Sequence, residues 1–233
     1  MLRVGDQRAR GWRSSGSDLQ PARRIVGTRM RSDLQVDWAI PATSPGWAGR
    51  LERFMGPGKT RGESAVEYLG GAIGILLLVS YCRPMLSDRS IAEVVALAVI
   101  AFDLVGGVLT NATNAAKRWY HRTPASRGRL AFVAVHTVHL AVVGLMFLGD
   151  PAWFIGNTLL LLGSALLIES APVGLRRPVA MAAYMTVLLV NLIVFPVPAL
   201  LAWFIPLFYL KLLVCYLIPE APIATRGRSL PSM

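Results

Sequence analysis

From Val66 to Ile218 the chain repeats one pattern: an apolar run of membrane-spanning length, then a few polar or helix-breaking residues. A bilayer core of ~30 Å needs about 20 helical residues at 1.5 Å each, and a water-soluble core needs no such runs. The pattern predicts six transmembrane helices, at residues 66–82, 91–112, 130–148, 152–168, 179–195 and 199–218. Pro84 lies in the first connection, Gly149, Asp150 and Pro151 form the third, and Pro196 and Pro198 force a hairpin before the last span. The expected fold is all-α and polytopic. Residues 1–62, rich in Arg, Gly, Ser and Pro and without helical periodicity, are expected to form a disordered basic tail ahead of a transmembrane domain at 63–219, with a second tail at 220–233. Met30 and Met55 offer alternative starts, the latter just before the first span.

Charge gives this pattern a direction. Basic residues outnumber acidic ones 24 to 13, and hydrophobic residues make up 54% of the chain. No aromatic-basic interleaving or zinc spacing accompanies the surplus, so nucleic acid is not an expected partner. Apart from Arg83 and Arg89, which share a nearly neutral connection with Asp88, and Lys211 within span six, the basic residues precede span one or follow spans two, four and six: Lys117, Arg118, Arg122, Arg127 and Arg129; Arg176 and Arg177; Arg226 and Arg228. The positive-inside rule then puts both termini in the cytoplasm of a plasma-membrane protein, with anionic lipid headgroups expected near the cluster from Lys117 to Arg129. Cys82 and Cys215 fall near opposite faces, which excludes a disulfide between them. Gly70 and Gly74, Gly106 and Gly107, and Gly156 and Gly163 are read as helix-packing positions.

The segment most informative about chemistry is Phe102 to Arg122. At 100° per residue, Asp103, Gly107, Thr110, Asn114, Lys117 and His121 fall within a stripe of roughly 80°, which predicts one continuous helix with a polar face. An acid this deep faces other helices or a wet cavity, since exposure to lipid costs roughly 2.5 to 3.5 kcal/mol. His136 and His139 are neighbours on span three. From the cytoplasmic ends, Asp103 lies roughly 13 Å deep, His139 roughly 14 Å, His136 roughly 9 Å and Lys211 roughly 10 Å. These four are expected to meet in a cytoplasm-facing pocket, with Asn111, Asn114 and Asn191 as neutral hydrogen-bond partners and His121 of the polar stripe as a further candidate for binding a ligand or proton. For each there is a plainer role: Lys211 can neutralise Asp103, and the histidines can serve as interhelical glue.

The run from Phe102 to Arg122, continued to His136 and His139, resembles a motif of small bacterial multi-pass membrane proteins that have no assigned activity. The resemblance covers spans two and three and implies no mechanism. Lysine occurs only at positions 59, 117 and 211, a usage similar to that of high-GC bacteria. Residues 62–71 faintly resemble the processing region of bacterial pilins, which are single-span subunits. Alkaline-ceramidase-like zinc hydrolases do not fit, because the last three spans hold no histidine, and rhomboid, P-loop and dinucleotide fingerprints are absent. Three functions follow in order: binding or transport of a proton, small polar solute or lipid headgroup at Asp103, His136, His139 and Lys211; a non-catalytic helper whose polar stripe receives a partner membrane helix; and a hydrolase with a metal on Asp103, His136 and His139. The balance leans away from an enzyme. No cofactor is expected, and no internal repeat of transporter type is visible.

Overall fold

The computed structural model describes residues 36–223. It is helical, with one isolated bridge between Val36 and Ile223. Six helices are long and apolar enough to cross a membrane: Arg61–Met85, Ile91–Ala112, Arg127–Phe147, Pro151–Ser170, Val173–Ile193 and Ala199–Tyr216. Span two has the bounds that the apolar pattern predicts. Span one begins five residues earlier than its apolar run, because Thr60 and Glu63 close a reciprocal capping box that starts the helix in polar sequence. Ser90 and Glu93 do the same for span two, and Asp150 caps span four just before Pro151 at its first position.

Span six is the centre of the bundle. Phe204, Ile205, Phe208, Tyr209, Leu212, Leu213 and Tyr216 are all buried and no residue from Trp203 to Ile218 is exposed, whereas span one is largely peripheral. It is also the least regular span: a 3-10 turn at Ala199–Leu201, an α-helix at Phe204–Tyr209 and a π-helix at Leu210–Tyr216. Span three is broken in a similar way, with a turn at His136 and a π segment at Val142–Phe147. Single π turns within α-helices recur at functional sites. Here one of them holds Lys211.

The expected continuous helix through Phe102 to Arg122 is not formed. Span two ends at Ala112, Thr113 takes an extended conformation (φ −70°, ψ 148°), and its hydroxyl accepts from the Ala116 amide to start a separate helix, Asn114–Tyr120. The 100° register is lost at that point, so the polar stripe cannot continue on one face.

The expected tail at residues 1–62 is also corrected within the described region. Positions 1–35 lie outside the described residues, but Gly46–Met55 forms a helix, α1. It docks through Gly56, whose backbone (φ 92°) fits against Ala115 and Ala116 so closely that a Cβ would collide with them. The Tyr120 hydroxyl donates to the Phe54 carbonyl and Arg118 donates to the Gly58 carbonyl (3.2 Å). Of the C-terminal tail, residues 220–223 are described. The Asp37 amide donates to the Pro222 carbonyl, so the two ends of the described chain meet at the same end of the bundle as the basic connections.

Candidate functional site

Spans two, three and six bring the four deep ionisable groups together. Lys211 Nζ donates to Asp103 Oδ2 at 2.5 Å, and His139 Nε2 lies 3.0 Å from the same oxygen. His136 Nε2 is 3.9 Å from that oxygen and 3.0 Å from Lys211 Nζ. His136 Nδ1 sits 2.7 Å from the Phe132 carbonyl, which can only accept, so Nδ1 carries the proton and Nε2 receives one from the lysine. The same reasoning protonates His139 at Nε2, facing the carboxylate. Its Nδ1 is buried without a hydrogen-bond partner among the described residues.

Packing fixes this geometry. The two imidazoles stack at 5.2 Å with 12° between their planes, and Phe132 and Phe208 flank them at 4.5 and 6.1 Å. Gly107, one turn after Asp103, leaves the space that the Lys211 stem fills; a Cβ there would run into Cδ and Cε of the lysine. Lys211 is nearly inaccessible at 3% side-chain exposure, while Asp103 is 37% exposed. The polar contacts of Asp103 all use Oδ2, leaving Oδ1 without a hydrogen-bond partner among the described residues.

The rest of the stripe does other work. Thr110 donates to Glu67 of span one, which also receives Lys59. Lys117 donates to the carbonyls of Cys215 (2.5 Å) and Ile218 (2.9 Å), and His121 Nε2 donates to that of Tyr216 (2.9 Å). These two residues close the C-terminal end of span six, where the π turn leaves carbonyls unpaired. Burial pushes the Lys117 ammonium below its ordinary range and the His121 imidazole down to about 4, so His121 is neutral. Asn114 accepts from the Ile223 amide (3.0 Å), and the Asn111 side-chain nitrogen is buried without a hydrogen-bond partner among the described residues. Among the described residues neither they nor His121 bond or pair with Asp103, contrary to the sequence expectation. Asn191 bonds Asn157 (2.9 Å), which also accepts from the Tyr209 hydroxyl (3.0 Å).

Three residues of the basic cluster face inward. Lys117, Arg118 and Arg129 are buried, and Arg122 and Arg127 are exposed. Arg129 forms a two-point ion pair with Glu169 (2.6 and 2.9 Å), and Arg176 joins the same carboxylate at 3.2 Å. Sequence reasoning missed Glu67 and Glu169. Each stands at the end of an apolar run, and its position facing a basic loop was the available signal.

Among the described residues no group of three or more His, Cys, Asp or Glu is arranged to hold a metal ion. The reason at Asp103 is visible: the Lys211 ammonium stands between the carboxylate and His136, where a cation would sit. No family model, curated protein or solved structure matches this chain.

Proposed function

We propose that this multi-pass membrane protein takes up a proton at Asp103 and couples it to the binding or passage of a small polar solute. The observation that carries the reading is the division of labour within one carboxylate: Oδ2 is held by Lys211 and His139, while Oδ1 stays open. A proton arriving at Oδ1 neutralises the carboxylate and weakens its hold on Lys211. The ammonium then shifts its weight to His136 Nε2, already 3.0 Å away. Because Asp103 and Lys211 belong to spans two and six, that exchange loosens the central helix against its neighbour. The distribution of basic residues supports a plasma-membrane orientation with both termini cytoplasmic and the site in the cytoplasmic half.

The test is proton uptake by the purified protein in nanodiscs after a pH jump, read with an indicator dye. Wild type should take up about one proton more than Asp103→Asn. Equal uptake by the two would overturn the reading, and solute screens in proteoliposomes would then lose their premise.

A second reading draws on the exposure of the Asp103 side of span two, where Val99 and Phe102 also face outward. A partner membrane helix bearing a polar donor could cover Oδ1. Photocrosslinkers at Val99 and Phe102 that capture only lipid would remove it.

A further inference from the structure

Helix α1 carries an apolar face that no described part of the protein covers. Trp47, Leu51 and Phe54 are 79%, 59% and 65% exposed. Their spacing of four and three residues puts them within a stripe of roughly 60° on one side of the helix. Roughly opposite lies Gly49, the buried residue of α1, against the Ser44 carbonyl and the Arg53 guanidinium. The helix therefore sets its polar side, with Glu52 and Arg53, against Thr43 and Ser44 of the preceding segment and leaves its large apolar side uncovered, the reverse of a helix packed for water. Arg50 flanks the stripe with its guanidinium 5.2 Å above the Trp47 ring. Trp38 and Ile40, just upstream, are also exposed.

Position tells what faces it. Only residues 56–60 separate α1 from the first turn of span one, a reach of about 18 Å at full extension. α1 is held at the basic end of the bundle by Gly56 and by Tyr120. It therefore cannot leave the level at which the spans emerge from the bilayer. We propose that α1 is an interfacial helix lying along the membrane surface, with Trp47, Leu51 and Phe54 among the acyl chains and Arg50 at the phosphates. The lipid surface of the same membrane is its partner. This assignment is independent of any activity at Asp103.

The experiment places single spin labels by W47C, L51C and F54C in a C82A/C215A background, with S87C in an exposed loop as the water reference. Each protein goes into phosphatidylcholine and phosphatidylglycerol nanodiscs, one copy per disc, and collision with oxygen and with a water-soluble nickel chelate is measured. The proposal expects an oxygen-to-nickel ratio several-fold higher at positions 47, 51 and 54 than at 87. A ratio equal to that at 87 overturns it. Labels shielded from both reagents also overturn it, because the face would then be covered by protein. If one variant fails to fold, the other two carry the same test.

Discussion

Lys211 and Asp103 meet at 2.5 Å across 108 positions of sequence, and the lysine reaches the acid by lying over Gly107. The central helix and span two are thereby joined by an ion pair whose cationic half is almost wholly buried.

The glycine is the least conspicuous part of this arrangement and should be sensitive. Gly107→Ala inserts a methyl where the Lys211 stem runs, whereas Gly106 has nothing within 4 Å of an added Cβ. G107A is expected to lose about 1–3 kcal/mol, and G106A to stay near wild type, in detergent unfolding curves.

Removing one partner of the pair should cost more than removing both. Asp103→Asn leaves a buried ammonium without its counter-charge, at a cost of about 3 kcal/mol, while the D103N/K211M double variant removes the stranded charge as well. The double variant should be the more stable of the two. A double-mutant cycle on thermal unfolding checks this, and finding the double variant less stable would mean that the lysine is held mainly by His136.

Glu169 balances two arginines, with Arg129 deeply buried beside it. Glu169→Gln should destabilise by about 3 kcal/mol, because the guanidinium of Arg129 loses its charge partner inside the protein. With no shared partner, E169Q and D103N should add in the double variant to within about 0.5 kcal/mol.

His121 gives a pH dependence of defined sign. Its imidazole sits at about 4 in the folded protein because burial disfavours the charged form, against an ordinary value of 6.5. The unfolded chain therefore binds a proton first as pH falls. Stability is lost progressively from about pH 6.5 down to about 4, by about 1–3 kcal/mol at the lower limit, and no further below it. His121→Gln keeps a donor for the Tyr216 carbonyl but does not titrate. Its unfolding free energy should fall less steeply over that interval than that of wild type.

The sequence alone determined the six spans, because the bilayer length requirement is written directly into the apolar runs, and span two was bounded to the residue. It also determined that Asp103, His136, His139 and Lys211 share a depth, since rise per residue converts position into height. Depth does not give azimuth. Which groups face one another depended on the tertiary packing: the break at Thr113 took Lys117 and His121 to the end of span six and Asn114 to Ile223 beyond it, while the Lys211 stem came to lie over Gly107. The basic loops read correctly as clustering at one end, but only the fold decided that Lys117, Arg118 and Arg129 point inward while α1 points its aromatic face out. Charge can be counted along a chain. Burial is a property of what lies across from it, and here that was supplied by residues more than a hundred positions away.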